Sequence, residues 1–193
     1  MSWENLDRQM SAYSDSLRNE VKLSDEICGK LATTIAADVR FLPREIKEEI
    51  KSVSPVPIRS RLEELQAFQG WMELANDVKN PLVTRAQVIT QNYICFVYLP
   101  EACFSILRKH APLQSTVRNC TSFLSDNPVR AFRNAIAHSN WKYRQDFTGL
   151  IYWARKGEKL DEPLSRFEVD SQTLGFWQSL SRCVAYAIYK NLD

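Results

Sequence analysis

The sequence predicts one mainly α-helical domain spanning residues 1–193, with a β-hairpin inserted at about residues 148–169 before the last helix. Three observations predict this fold class. The chain has five glycines among 193 residues, and glycine is unfavourable inside helices but frequent in tight turns. Apolar residues recur at three- and four-residue steps along most of the chain, which is typical of amphipathic helices. This period changes only after Trp141, where short segments acquire the composition of strands.

Three helices are predicted in the N-terminal part of the chain. Ser24-Asp25-Glu26 is typical of a helix start, and Pro43 suits the first position of another helix because its missing N–H is not needed there. The predicted helices cover residues 3–22, 25–40 and 43–53, and a rigid proline-rich break follows at 54–57.

The middle of the chain is predicted to be helical up to about residue 107. One long helix is expected over 58–78 and another helix over 82–99. A further turn or helix is expected from Pro100 to Leu107. Residues 93–99 form the most apolar window and are expected to be the most buried helical segment. The stretch that follows, up to Phe123, is expected to be less regular.

The C-terminal part combines a helix, the hairpin and a final helix. Ser125-Asp126-Asn127 followed by Pro128 is a strong helix start, and the helix is predicted to run to about Trp141. Strands are expected at 148–154 and 164–169. Asp170-Ser171 is predicted to cap the last helix, which ends near Asn191.

Composition narrows the functional classes. The net charge of +2 is too small for a general nucleic-acid coat, so any site for a polyanion must be a local cluster of cations. The five cysteines match no C-x-x-C pair and no zinc-ligand spacing, which predicts reduced, buried thiols in a reducing cytoplasm. No secretory signal is recognised at residues 1–20, and no apolar run reaches the roughly 18–20 residues of a membrane span. No metal site and no cofactor are expected.

The candidate site lies on the helix predicted over 128–141. On a helical wheel, Val129, Phe132 and Ile136 cluster on one side and are expected to face the core. The opposite arc carries polar and aromatic side chains, namely Arg130, Arg133, Asn134, His138 and Trp141. Asn134 and His138 are four residues apart and therefore neighbours, whereas Arg133 and His138 flank a groove with Ala137 between them.

These residue types suit attack of an RNA 2′-hydroxyl on the adjacent phosphate. His138 can act as a general base near neutral pH, and the guanidinium of Arg133 matches the developing negative charge on phosphate. Asn134 can orient the imidazole or bind a phosphate oxygen. Arg130, Lys142 and Arg144 add positive charge for the RNA backbone, and Trp141 is assigned with them to substrate binding. The alternative is a solvated helix face, in which His138 is a C-terminal cation and Asn140 is the helix stop.

The segment Arg133-Asn134-Ala135-Ile136-Ala137-His138 resembles the R-x(4–6)-H motif of HEPN domains, in which a polar residue often follows the arginine. The longer phrase from Phe132 to Trp141 resembles plasmid-borne and defence-associated HEPN proteins. The resemblance implies an up-and-down helical bundle that forms a homodimer, with the motif helices of two protomers facing one cleft. It further implies a metal-independent endoribonuclease, serving as a toxin or a phage-defence effector with an antitoxin protein as a further partner.

The resemblance implies that Arg133 binds phosphate and that His138 is the general base or acid. It also implies that Asn134 is the polar residue that orients His138. Two alternatives remain open. One is a catalytically inactive HEPN module that binds nucleotide, RNA or a protein partner, and the other is a purely structural helical protein. Elsewhere, His110 is interpreted as the basic end of a helix, and the segment around Tyr152 and Trp153 as a contact for RNA or for protein.

Overall fold

The structure is a computed structural model that describes residues 3–53, 60, 63, 89–145, 148–155 and 161–193. It is mainly helical with one small antiparallel sheet, which confirms the predicted fold class at this level. The proline-rich break at 54–57, nearly all of the helix expected over 58–78, and the start of the next helix lie outside the described residues. Within the described part of the chain, no helix is both long and apolar enough to cross a membrane.

Five short helices form the N-terminal part. They are α1 (Trp3–Ser11), α2 (Ser14–Asn19), α3 (Asp25–Cys28), α4 (Leu31–Arg40) and α5 (Arg44–Ser52). The predictions of unbroken helices over 3–22 and 25–40 were wrong, because each is divided in two. The second break is stabilised from a distance, since the Asp7 carboxylate accepts hydrogen bonds from the Ala32 N–H (2.6 Å) and the Thr33 hydroxyl (3.0 Å) at the start of α4.

Residues 89–110 are helical throughout and pass through Pro100. Two π-helical segments, Ile94–Tyr98 and Pro100–Phe104, lead into α6 (Ser105–His110). The sequence predicted that Pro100 begins a new element, because proline lacks the N–H that an α-helix interior uses. The wider π turns adapt the chain around it, with the Leu99 N–H bonded to the Ile94 carbonyl and the Ser105 N–H bonded to the Pro100 carbonyl.

A helix missed by the sequence analysis, α7 (Thr116–Ser125), occupies the stretch expected to be irregular. The Ser115 hydroxyl caps it by accepting from the Arg118 N–H at 3.4 Å, and the Asp38 carboxylate of α4 accepts from the Val117 N–H at 2.9 Å. The second of these contacts joins residues far apart in sequence, so no local pattern contained it. The next helix, α8 (Val129–Ala137), begins where predicted.

The sheet has three antiparallel strands in the order β1 (Trp141–Tyr143), β2 (Gly149–Ala154) and β3 (Ser165–Asp170). The predicted hairpin corresponds to β2 and β3, which pair from Gly149 opposite Asp170 to Ala154 opposite Ser165. The third strand is a correction, because residues 141–143 were expected to end a helix. One face of the sheet is buried in the core through Leu150, Tyr152 and Val169.

The last helix, α9 (Ser171–Tyr189), is central to the core. All five residues predicted for its buried face are buried, namely Leu174, Trp177, Leu180, Val184 and Ile188. Its predicted cap is also confirmed, since the Asp170 carboxylate accepts a hydrogen bond from the Thr173 N–H at 2.7 Å.

The Asp170 cap is expected to give a pH-dependent contribution to stability. The backbone hydrogen bond from Thr173 lowers the pKa of the Asp170 carboxyl, so the folded state favours the charged form. The contribution is therefore complete above the unfolded-state pKa of about 3.9 and is lost as the pH falls through the lower folded-state pKa. We expect Asp170→Ala to lower the free energy of unfolding by about 1 kcal/mol at pH 7, and by less at pH 3, in urea denaturation.

Asparagine also caps helices but does not titrate, so Asp170→Asn is the matched control. It is expected to remain closer to the parent than Asp170→Ala at pH 7. An equal loss for Asp170→Ala at both pH values would contradict the role of the charged carboxylate.

All five cysteines are buried and unpaired with one another, as the sequence predicted. Burial raises the pKa of the Cys95 thiol to about 11. It raises the pKa of Cys103, Cys120 and Cys183 as well. These thiols therefore act as small apolar core groups rather than as nucleophiles.

Candidate functional site

Helix α8 is held in one orientation by its buried face. The Phe132 ring contacts three other aromatic rings, with centroid distances of 5.2 Å to Phe96, 5.2 Å to Tyr152 and 5.7 Å to Trp177. Val129 and Ile136 are buried on the same side. The predicted core face is confirmed, and it directs the opposite arc, which carries the candidate residues, away from the core.

Helix α8 ends at Ala137, four residues before the predicted end at Trp141. His138 is the C-cap, and Ser139 adopts a left-handed conformation with φ of 57°. The Ser139 N–H bonds to the Ile136 carbonyl (3.2 Å) and the Asn140 N–H to the Ala135 carbonyl (2.8 Å). This is the hydrogen-bond pattern of a Schellman motif, which terminates helices. One alternative interpretation of the sequence was that Asn140 stops the helix. This is close to the observed geometry, because the Asn140 N–H takes part in the motif that terminates α8.

The shorter helix leaves the predicted trio on its last two turns. Asn134 and His138 remain neighbours, because the His138 N–H donates to the Asn134 carbonyl at 3.1 Å, and both residues are exposed. Arg133 is half-buried, with 30% of its side chain exposed. The three residues therefore present one partly enclosed guanidinium and two accessible polar side chains near one helix end.

Glu101, from the second π-helical segment, forms an ion pair with Arg133. Its Oε1 atom accepts from Nη2 of Arg133. The two sides of the pair differ in exposure, because 63% of the Glu101 side chain is exposed against 30% for Arg133. Nε of Arg133 is buried and has no hydrogen-bond partner among the described residues.

A cavity of about 200 Å³ lies beside this ion pair. Its described polar lining consists of Glu101, Ser105, Arg108, Ser125, Arg130 and Arg133. Three arginines and one glutamate thus line the same small cavity. Arg108 also pairs with Asp126 at 3.0 Å.

The remaining predicted residues lie on or beside β1. Trp141 was wrongly placed on the polar arc of the helix, because it begins β1, where its ring packs edge-on against Tyr143 at 5.4 Å. The Lys142 ammonium lies 5.8 Å from the centroid of the Trp153 ring. Arg144 follows β1 and approaches the Glu168 carboxylate at 3.7 Å.

Arg144 lines a second cavity of about 460 Å³ on the sheet, together with Gln145, Ile151, Arg166 and Glu168. The structure therefore places Arg130 and Arg133 at one cavity and Arg144 at the other. The seven predicted site residues are distributed over α8, its C-cap, β1 and the residue that follows β1. Of the five expected on one helical arc, Trp141 lies on β1 instead.

The sequence analysis missed Glu101, Arg108 and Ser125 as neighbours of Arg133. Glu101 precedes Arg133 by 32 residues, within the element that the sequence predicted to begin at Pro100. Arg108 lies in the last turn of α6, whose end at His110 the sequence predicted as a basic helix end. The His110 imidazole Nε2 lies 3.9 Å from the Glu49 carboxylate. No sequence spacing relates these residues, because the contact depends on how two helices pack.

Within the described residues, no three histidine, cysteine, aspartate or glutamate side chains are grouped as a metal site would require. No protein-family model matches this chain, and neither curated proteins nor solved structures gave a match.

Proposed function

We propose that this chain is a metal-independent endoribonuclease of the HEPN type. The observation that carries the proposal is that Arg133, Asn134 and His138 lie on the side of α8 opposite its buried face, close to its C-terminal end. The aromatic packing of Phe132 on the other side holds the helix that presents them. Neither Asn134 nor His138 is buried in the core, so neither is needed to fill it.

In the proposed reaction His138 accepts the proton of an RNA 2′-hydroxyl. The 2′-oxygen forms a bond to the adjacent phosphorus, and the bond from phosphorus to the 5′-oxygen breaks. The departing 5′-oxygen takes up a proton, so the products are a 2′,3′-cyclic phosphate and a 5′-hydroxyl. Arg133 stabilises the negative charge that develops on the phosphoryl oxygens, and Asn134 orients the imidazole or a phosphate oxygen.

A homodimer is part of the proposal. The reaction uses one group to remove a proton and another to supply one, and the C-terminal end of α8 carries a single histidine, His138. Two copies of α8 across one cleft would provide both groups and two guanidinium groups. We place the activity in the cytoplasm, as a toxin or phage-defence effector with RNA as substrate and an antitoxin protein as a further partner.

One observation favours a second candidate, a catalytically inactive HEPN module that binds nucleotide, RNA or a protein partner. The Arg133 guanidinium already bonds to the Glu101 carboxylate. A guanidinium that is paired with a carboxylate of the same chain has a structural role unless the substrate displaces that carboxylate.

The two candidates differ in an assay of purified protein with RNA in excess EDTA. The ribonuclease is expected to cut RNA under chelation and to leave 2′,3′-cyclic phosphate ends, which mass spectrometry distinguishes from 3′-phosphates. The reason is that Arg133 and His138 supply the charge stabilisation and proton transfer without a metal ion. Binding of RNA without cleavage would support the inactive module, and cleavage that stops with EDTA would contradict the proposed mechanism.

A further inference from the structure

Two of the residues that line the cavity beside Arg133 carry buried polar atoms whose hydrogen-bonding capacity is not used within the described chain. Nε of Arg133 and Oγ of Ser125 are both buried, and neither has a partner among the described residues. Both residues line the cavity. Buried donors without a partner are uncommon and unfavourable, and two of them at one cavity indicate a site for a ligand rich in hydrogen-bond acceptors.

The charges around the cavity specify the class of that ligand. Arg108, Arg130 and Arg133 all line it. Arginine presents its N–H groups in a fork that matches the oxygens of phosphate and carboxylate groups. Glu101 is the one carboxylate among the described lining residues, and it is bonded to Arg133. Its carboxylate oxygen therefore holds the place that an oxygen of an external anion would take.

The exposure of the two partners indicates which of them can move. Arg133 is on a helix anchored through Phe132 and is half-buried, whereas the Glu101 side chain is mostly exposed. An exposed ion pair holds its partners together only weakly, so Glu101 can turn into solvent while Arg133 stays in position.

We propose that this cavity binds a phosphate group of RNA and that the Glu101 carboxylate competes with this phosphate for Arg133. The ligand class rests on the proposed ribonuclease function. Ser125 and Arg108 are then binding residues for this phosphate, and Glu101 sets the affinity for RNA without taking part in proton transfer. No covalent step is added to the reaction.

The test compares Glu101→Gln and Ser125→Ala with the parent protein in binding two probes. One probe is inorganic phosphate, measured by calorimetry. The other is a 2′-O-methyl RNA oligonucleotide, which lacks the attacking hydroxyl and is measured by fluorescence anisotropy. Glu101→Gln is expected to tighten binding of both probes by about fivefold, because a competing carboxylate is removed. Ser125→Ala is expected to weaken binding of both by about fivefold, because one donor is lost.

Glu26→Gln on α3 is the matched control, since it removes the same charge from the ion pair that Glu26 forms with Lys30 (2.6 Å). It is expected to bind both probes like the parent. The proposal is overturned if Glu101→Gln binds no more tightly than Glu26→Gln, or if neither probe binds the parent. A gain for inorganic phosphate alone would overturn the assignment to RNA and indicate a site for free phosphate.

Cleavage of unmodified RNA by the same variants separates this proposal from the proposed function. If no variant cuts RNA but Glu101→Gln gains affinity, the ribonuclease function fails and the binding site stands. If the parent cuts RNA and Glu101→Gln changes neither affinity nor KM, the ribonuclease function stands and the competition by Glu101 is wrong.

Discussion

Replacing His138 or Arg133 by alanine is expected to lower the rate of RNA cleavage by about 10²–10⁴-fold, the range lost with a general acid–base group or a group that stabilises developing charge. The fold is expected to survive both changes. His138 is exposed at the C-cap of α8, and the ion pair of Arg133 is partly exposed and worth at most about 1 kcal/mol. Initial cleavage rates and thermal unfolding of the same preparations measure the two effects separately.

His110→Ala is the matched control, because His110 is the other of the two histidines in the chain. It lies at the end of α6 near Glu49, and its replacement is expected to leave the cleavage rate unchanged. If His110→Ala loses activity while His138→Ala does not, the assignment of the general base is wrong.

Mixing the two inactive variants tests the composite cleft. A heterodimer of Arg133→Ala and His138→Ala retains one arginine and one histidine from different protomers. Partial recovery of cleavage on mixing is expected if both groups serve one cleft. A parent protein that stays monomeric at the concentrations of the assay and still cuts RNA would contradict the dimer.

Gly149→Ala is expected to lower the free energy of unfolding by about 3 kcal/mol, at the upper end of the range for overpacking. A Cβ atom at Gly149 would lie 2.3 Å from the Val169 carbonyl oxygen and 2.9 Å from the Asp170 Cα. Both are backbone atoms of the paired strand β3, so no side-chain rotation relieves the overlap. Strands β2 and β3 must therefore separate to accommodate the added Cβ atom. The separation occurs at Asp170, which pairs with Gly149 and also caps α9. Urea denaturation followed by circular dichroism measures the loss.

Gly29→Ala is the control for this substitution. Gly29 is the C-cap of α3 with φ of −79° and ψ of −14°, which alanine adopts without strain. The nearest atom to its added Cβ is the Glu26 carbonyl oxygen at 3.9 Å. The change is expected to leave stability unaltered or raise it by up to about 1 kcal/mol. Equal stability of the two variants would contradict the close approach of β2 and β3.

Features that depend on near neighbours in sequence were predictable. The apolar face of α8, the apolar face of α9 and the Asp170 cap all follow from spacings of three or four residues, and all are confirmed. The hairpin of β2 and β3 was predictable for the same reason, because β2 has the composition of a strand, β3 alternates, and the two are close in the chain.

Three errors in the predicted fold occur where a distant contact decides a local conformation. The sequence predicted one helix over 25–40, but the Asp7 carboxylate, bonded to the Ala32 N–H, supports a separate start for α4. It predicted no helix over 116–125, where α7 forms and the Asp38 carboxylate of α4 accepts a hydrogen bond from the first turn of α7. It continued α8 to Trp141, but the Trp153 N–H of β2 bonds to the Asn140 carbonyl and residues 141–143 pair with that strand.

The sequence by itself determined the chemical identity of the candidate site. The order Arg133-Asn134 followed by His138 places a guanidinium, an amide and an imidazole on the last turns of one helix, whose other face is apolar enough to hold it against the core. Only the tertiary structure decided what Arg133 contacts. Glu101 reaches it because the helix continues through Pro100 and packs beside α8 around Phe132. Local rules act on residues within a turn or two, whereas an ion pair between residues 32 positions apart depends on the packing of side chains between helices.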